Sequence, residues 1–133
     1  HGFLGQYQVG FTREGKITAL DVALYADGGW SMDLSPPVLS RAMLHVDNAY
    51  YIPNITVLGR IARLNKVSNT AFRGFGGPQG MLVIEDIVDR IARSLNLPPE
   101  VVREIFTPAL ATPARLTMDR KLWTTASPVS GMR

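Results

Sequence analysis

A glycine-rich segment at residues 68–80 constrains this chain more than any other part of its sequence. It reads SNTAFRGFGGPQG and holds four glycines, one proline, two phenylalanines and one arginine. Glycine lets a backbone approach a ligand closely and adopt angles that other residues rarely take. Pro78 suits the first turn of a helix whose free N–H groups point back at the preceding residues. This stretch, called the glycine segment below, is therefore predicted to be a functional-site loop that leads into a helix.

Alternating apolar and polar residues predict strands on both sides of a short turn. Residues 6–12 and 17–26 alternate in this way, and Glu14-Gly15-Lys16 lies between them, which indicates a β-hairpin. Leu20, Val22, Leu24 and Ala26 are expected on one buried face. Residues 55–64 form the next apolar run and are predicted to be a third strand.

Three helices are predicted between and after these strands. Ser35, followed by two prolines, is typical of a helix cap and first turn. Residues 78–95 form the clearest helix, because their apolar residues recur every three or four positions, at Met81, Ile84, Val88, Ile91 and Leu95. Asp86–Arg90 and Asp89–Arg93 are acid-first pairs four residues apart. A short helix is expected over 98–104. The fold class is therefore α+β: a hairpin and a further strand packed with two main helices.

Composition indicates a globular chain and excludes several classes of site. The 133 residues suit one domain, with 46% hydrophobic and 19% charged residues. No apolar run approaches the roughly 20 residues that span a bilayer. The chain has no cysteine, which excludes disulfides, thiolate metal sites and a protein-ligated iron–sulfur cluster within it. Such a composition is compatible with the cytoplasm, which is the expected location.

The charge is uneven along the chain. Residues 1–106 carry ten Lys or Arg and ten Asp or Glu, so the net charge of +3 comes from residues 107–133. The net positive charge of the chain is therefore no evidence for nucleic-acid binding by the folded part. We expect a partial domain over 1–106 and a divergent, poorly ordered tail over 107–133. The tail is either a frameshifted end or a divergent extension. Because the chain opens with His1 in strand-like sequence, it is expected to be a fragment of a longer polypeptide.

The glycine segment and several shorter motifs resemble the molybdenum-cofactor-binding part of the xanthine dehydrogenase and aldehyde oxidase family, xanthine dehydrogenases most of all. The resemblance covers about residues 1–104. The shorter motifs keep the family's order and spacing: Gly10-Phe11, Asp33-Leu34-Ser35, Arg41-Ala42, His45-Val46-Asp47-Asn48-Ala49-Tyr50 and Ile52-Pro53-Asn54. The resemblance implies part of a larger molybdenum-cofactor-binding domain. Its parent would be a hydroxylase that oxidises purines such as hypoxanthine and xanthine, with water as the oxygen source.

Three residues acquire site roles from this resemblance. Arg73 matches the arginine that contacts the molybdenum centre without being a ligand, although the residues alone also allow an arginine that bonds loop carbonyls. Phe75 matches the aromatic residue that packs on the purine, although an isolated Phe is more often a core residue. Arg41 matches a substrate-binding and catalytic arginine that stabilises negative charge on the purine, although a solvated helix arginine is its plain alternative. Phe72 is assigned to packing.

Arg41 favours purines over aldehydes, because family members that oxidise aldehydes generally lack this arginine. His45 and Asp47 do not form a metal-ligand set, and His45 is expected to be structural. The glycine segment is neither a P-loop nor a Gly-x-Gly-x-x-Gly fingerprint, since Gln79 occupies the last position.

The resemblance also implies what this chain lacks. The molybdenum–molybdopterin cofactor would belong to the parent enzyme, and 2Fe-2S and FAD would lie on partner domains or subunits of an oligomeric parent. Neither nucleic acid nor membrane is an expected partner. Alone, the chain is expected neither to retain molybdenum nor to turn over a purine. The alternatives are an aldehyde-oxidising member of the family, or a catalytically inactive remnant or interaction module that exposes the apolar face of the helix at 78–95.

Overall fold

Three strands and three helices lie within residues 1–106, the part of the chain that this computed structural model describes. The predicted tail at 107–133 lies outside the described residues. The order is β1 (Phe3–Phe11), β2 (Ile17–Gly29), α1 (Ser35–Leu44), β3 (Ile55–Arg63), α2 (Gly77–Leu95) and α3 (Pro99–Phe106). A hairpin, a third strand and two main helices confirm the predicted α+β class.

The strands form one mixed sheet in the order β1-β2-β3. β1 and β2 are antiparallel, as a hairpin requires, whereas β2 and β3 are parallel. A parallel pair needs a crossover connection, and α1 lies within it. β2 runs to Gly29, beyond the predicted end at residue 26. Its last residues remain paired with β3, since Gly29 lies opposite Arg63.

The core lies between one face of the sheet and the helices α1 and α2. The predicted apolar face of β2 is buried, with Leu24 and Ala26 at 0% exposure. The apolar side of α2 is buried as well, at Ile84, Ile87, Val88 and Ile91. The idea that this helix would expose its apolar face as an interaction module is therefore wrong, because the sheet and α1 already cover that face.

The helix starts differ slightly from the sequence predictions. Ser35 is the first residue of α1 and not its cap; Leu34 occupies the cap position and makes no side-chain cap bond. The Ser35 hydroxyl instead lies 2.7 Å from Nε2 of His1, so it ties the chain start to α1. α2 begins one residue early, at Gly77, because the glycine before it already closes the turn.

Charged residues on the outer side of α2 hold the last helix in place. The predicted pairs Asp86–Arg90 and Asp89–Arg93 form, at 2.7 Å and 3.7 Å. From α3, Arg103 donates to Glu85 at 2.9 Å and to Asp89 at 2.8 Å. Within residues 1–106, none of the helices is both long enough and apolar enough to cross a membrane.

Candidate functional site

The glycine segment is fixed at its start to the carboxyl end of β2. The Asn69 backbone N–H donates to the Gly28 carbonyl at 3.2 Å, and its side-chain amide donates to the Asp27 carbonyl at 2.9 Å. The Ser31 N–H donates to the Ser68 hydroxyl at 3.0 Å. A hydrogen bond from Lys66, aided by the Gly29 N–H, outweighs burial and holds the pKa of Asp27 below its usual range. These bonds pin the first residues of the segment before the chain turns outward.

The end of the glycine segment packs on α1 through backbone. A Cβ added at Gly76 would overlap the carbonyl oxygen of Val38 and lie 2.9 Å from its carbon. A Cβ added at Gly80 would overlap the carbonyl oxygen of Ala42 and lie 3.0 Å from its carbon. Both glycines therefore let two helices meet closer than side chains allow.

Between these two anchors the backbone makes a tight left-handed turn. Gly74, Phe75 and Gly76 have φ angles of +93°, +53° and +96°. The Phe75 N–H donates to the Phe72 carbonyl at 2.8 Å, and the Gly77 N–H donates to the Gly74 carbonyl at 3.0 Å. A positive φ is common for glycine but rare for a phenylalanine, and it costs roughly 1–3 kcal/mol. Phe75 is half-buried, so this strained residue is neither a core residue nor fully exposed.

The turn directs the residues before Phe75 outward. Phe72 is 83% exposed, so its assignment to packing is wrong within residues 1–106, because the turn that its carbonyl closes with the Phe75 N–H directs the side chain away from the core. Arg73 is also exposed. Its guanidinium makes no hydrogen bond or ion pair within residues 1–106, and the alternative of an arginine that bonds loop carbonyls therefore finds no support there.

Arg41 reaches the start of α2 from the neighbouring helix. It is exposed, and its Nε lies 3.9 Å from the point where a Cβ on Gly77 would stand. Its side chain, too, is without a hydrogen-bond or ion-pair partner among the described residues. The first turn of α2 has neither an acidic residue nor a side-chain cap. A guanidinium beside the positive end of a helix dipole, with no acid nearby in that turn, favours a ligand that carries or develops negative charge.

His45 supports this arrangement from the end of α1. Its Nδ1 lies 2.9 Å from the Arg41 carbonyl oxygen, which can only accept, so the protonated Nδ1 donates. The ring also lies beside Gly77, with its Cδ2 at 3.8 Å from a Cβ built there. The described part of the chain contains no group of three or more His, Asp or Glu side chains that could hold a metal ion.

The structure therefore brings Arg41 to the segment that carries Arg73 and Phe75, although β3 and the loops on either side of it separate the two in sequence. Sequence reasoning missed two features of this site. The four-residue spacing of Gly76 and Gly80 was a signal for helix packing, but it was interpreted as room for a ligand. The side-chain oxygen of Gln79 is buried without a hydrogen-bond donor within residues 1–106, and no sequence pattern indicated that.

Comparison with known proteins confirms the family resemblance. Residues 1–107 match the family described as "Molybdopterin cofactor-binding domain". The "Xanthine dehydrogenase 1" of Arabidopsis thaliana is 57% identical over 105 residues, which make up 79% of this chain and 8% of that protein. The "Xanthine dehydrogenase/oxidase" of Gallus gallus is 55% identical, with the same shares of 79% and 8%.

Structural similarity agrees with the sequence matches. The aldehyde oxidoreductase of Desulfovibrio gigas superposes with a TM-score of 0.72 at 27% identity, over 84% of this chain and 12% of that one. The chain thus spans 8% of the length of the curated relatives named above. The shared fold is one part of much longer chains.

Proposed function

Because this chain belongs to the molybdopterin cofactor-binding domain family, we propose that it forms one wall of the substrate pocket in a molybdenum hydroxylase that oxidises purines such as hypoxanthine and xanthine. The observation that carries the proposal is the position of Arg41. Its guanidinium reaches the start of α2 two residues after Phe75, without an acidic partner within residues 1–106.

Arg41 would act on the substrate through charge. Attack on a purine carbon places negative charge on the ring, and a fixed guanidinium stabilises that charge more in the transition state than in the ground state. The nearby amino end of α2 adds partial positive charge of the same sense. Arg41 is therefore proposed as both a substrate-binding and a catalytic residue.

Phe75 would orient the substrate by its flat face. A purine is planar, and an aromatic ring positions it without using polar groups. Phe75 lies at positive φ in a turn that two backbone hydrogen bonds close, so the direction in which its side chain leaves the backbone is set before a ligand arrives. Preorganisation of this kind lowers the entropy cost of binding.

Arg73 is the residue proposed to face the cofactor. Its exposed guanidinium has five donors and no partner within residues 1–106, which fits the oxygen-rich surroundings of a molybdenum–molybdopterin group. Arg73 would contact that centre without ligating it, because a guanidinium donates hydrogen bonds and accepts none. When bound, the cofactor supplies the two-electron oxidising centre of the reaction.

The proposal extends to the rest of the parent enzyme. Iron–sulfur and FAD domains or subunits would receive the electrons, in an oligomeric, cytoplasmic enzyme. These partners are proposed from the relatives, which are xanthine dehydrogenases of far greater length.

Substitution of Arg41 tests the proposal in a full-length enzyme that carries this segment. Arg41→Gln is expected to lower kcat/KM for xanthine by about 10²–10³-fold, since it removes one preorganised charge. Turnover of an aromatic aldehyde should persist, because that substrate does not depend on this charge. Arg60→Gln is the matched control: Arg60 is an exposed arginine of β3.

The two substrates separate the candidate functions. If Arg41→Gln leaves xanthine turnover intact, Arg41 has no role in purine oxidation and the assignment fails. If the unsubstituted enzyme oxidises aldehydes and no purine, the aldehyde-oxidising alternative replaces it.

A further inference from the structure

The contact between α1 and α2 sets where Arg41 stands relative to Phe75. We propose that Gly76 and Gly80 are positioning residues: they seat α2 directly on the α1 backbone and thereby hold the Arg41 guanidinium at the spacing from Phe75 that a purine requires. This inference rests on the proposed function, which assigns Arg41 and Phe75 to the substrate.

The α1–α2 glycine contact consists of two close approaches, one helical turn apart on each helix. Gly76 meets the Val38 carbonyl, and Gly80 meets the Ala42 carbonyl. The distance between two packed helix axes depends on the side chains at their contact. A glycine has no side chain there, so the helices can lie closer together. Since glycine is also a poorer helix former than alanine, Gly80 in the first turns of α2 is explained by this contact and not by helix stability.

Arg41 and Phe75, the two proposed substrate residues, lie next to the α1–α2 glycine contact. Arg41 precedes Ala42, whose carbonyl carries the second contact, and its Nε lies beside Gly77, between the two contacts. Phe75 immediately precedes Gly76, which makes the first contact. A change in the distance between the helices therefore changes the distance between Arg41 and Phe75 directly.

A single methyl group is enough to change that distance. A Cβ at position 80 would lie 3.0 Å from the Ala42 carbonyl carbon and 3.3 Å from its Cα, besides overlapping the oxygen. These are backbone atoms, which cannot rotate away as a side chain can, so α1 and α2 must separate. A displacement of about 1 Å between reacting groups costs up to roughly 10²-fold in rate.

The test is a double-mutant cycle in a full-length enzyme that carries this segment. Gly80→Ala alone is expected to lower xanthine kcat/KM by up to about 10²-fold while aldehyde turnover is retained. If Gly80 acts through Arg41, the same substitution in an Arg41→Gln background should cause no further loss. A general folding defect would lower turnover equally in both backgrounds, and that result would overturn the proposal.

Gly2→Ala is the matched control. It makes the same chemical change, but the nearest atom to its Cβ is Cβ of Asp27, at 3.9 Å, so there is room for a methyl group. The single variant Arg41→Gln shows whether the proposed function fails or only the positioning role of the glycines. Unchanged xanthine turnover in that variant removes the proposed function and this inference with it. If xanthine turnover falls in Arg41→Gln but not in Gly80→Ala, the proposed function stands and only the positioning role of Gly76 and Gly80 fails.

A milder variant covers the case in which Gly80→Ala yields no cofactor-loaded enzyme. A Cβ at Gly59 on β3 would press α1 from the sheet side, through the flexible end of Met43 and through Leu39 at 3.1 Å. The proposal predicts that Gly59→Ala also lowers xanthine turnover more than aldehyde turnover, again only when Arg41 is present. An equal loss for both substrates would contradict it.

Discussion

At the scale of single residues, Phe75 carries the clearest sign of a site. Its φ of +53° lies in a region that costs a phenylalanine roughly 1–3 kcal/mol. Three other non-glycine residues of the described chain share a positive φ, and they are Asp33, Asn48 and Asn96. Asn and Asp tolerate this conformation far better than an aromatic residue does. The strain at Phe75 therefore needs a reason, and the proposed role of this residue in orienting a substrate supplies one.

Gln79 gives a residue-scale prediction for the 133-residue chain. Its buried oxygen has no hydrogen-bond donor within residues 1–106, and a buried polar atom left unpaired costs about 1–3 kcal/mol. We expect Gln79→Leu to raise the free energy of unfolding by on the order of 1 kcal/mol. Urea unfolding followed by circular dichroism measures the change.

The control for Gln79 is Gln8→Leu, the same change at an exposed position of β1. That variant should stay within about 0.5 kcal/mol of the unsubstituted chain. A destabilised Gln79→Leu would mean that the amide has a donor outside the described residues.

At the scale of elements, a polar network ties α3 and the turn before β3 to α2. Glu85 accepts hydrogen bonds from Asn48, Tyr50 and Arg103, and Arg103 also bonds Asp89. Burial raises the pKa of Glu85, but the bonds from Tyr50 and Arg103 and the charge of Arg103 outweigh it, and the net pKa lies below the usual value of 4.5. The network therefore favours the ionised form of Glu85.

The sign of this shift predicts how stability depends on pH. Because the folded pKa of Glu85 is lower than the unfolded one, its stabilisation is present above about pH 4.5 and is lost as the pH falls through the folded value. The unsubstituted chain should exceed Glu85→Gln in unfolding free energy by on the order of 1 kcal/mol at pH 7. That advantage should shrink towards zero in acid.

The same network predicts that stability also falls at high pH. Burial, the hydrogen bond to Glu85 and the charge of Glu85 raise the pKa of Tyr50 from 10.0 to about 12. Protonated Tyr50 therefore stabilises the fold below pH 10, and this contribution is lost between pH 10 and 12. Unfolding curves from about pH 2 to about pH 12 cover both limbs, with Glu104→Gln on the exposed side of α3 as control. An advantage over Glu85→Gln that does not vary with pH would contradict the assignment.

At the scale of the whole molecule, the described residues form a core but also leave apolar side chains uncovered. Trp30, Val67 and Phe72 are 62%, 84% and 83% exposed. Backbone hydrogen bonds join the segments around them, since the Trp30 N–H donates to the Lys66 carbonyl at 3.0 Å. Exposed apolar side chains of this size are typical of surfaces that other protein segments cover. Because the chain spans 8% of the relatives' length, we expect further sequence of a longer parent to pack over these residues.

The isolated chain is expected to bind no molybdenum and to oxidise no purine. A cofactor site assembled from several segments cannot hold its group when most of them are absent, and this chain offers Arg73 alone for that contact. Metal analysis of the purified chain and xanthine-dependent dye reduction check this expectation, with a full-length relative treated in parallel. Stoichiometric molybdenum, or any xanthine-dependent reduction, would show that residues 1–133 suffice.

The sequence by itself determined the elements of this fold. The alternation in β2 and the three- and four-residue steps in α2 depend only on local geometry, so the buried face of β2 was predicted correctly. The face of α2 was predicted correctly at Ile84, Val88 and Ile91, whereas Met81 and Leu95 are half-buried and the buried Ile87 was missed. The family was also evident, because the glycine segment and the shorter motifs keep a specific order. The roles of Arg41, Arg73 and Phe75 remain predictions that rest on that resemblance.

Only the tertiary structure decided what each glycine and aromatic residue does. The left-handed turn places Phe72 in solvent and Phe75 half-buried, although both are phenylalanines of one segment. Gly76 and Gly80 meet carbonyls of a helix more than thirty residues earlier in the chain, and no local pattern encodes that contact. Local periodicity specifies which residues are buried, whereas the spacing between Arg41 and Phe75 depends on how two distant helices pack.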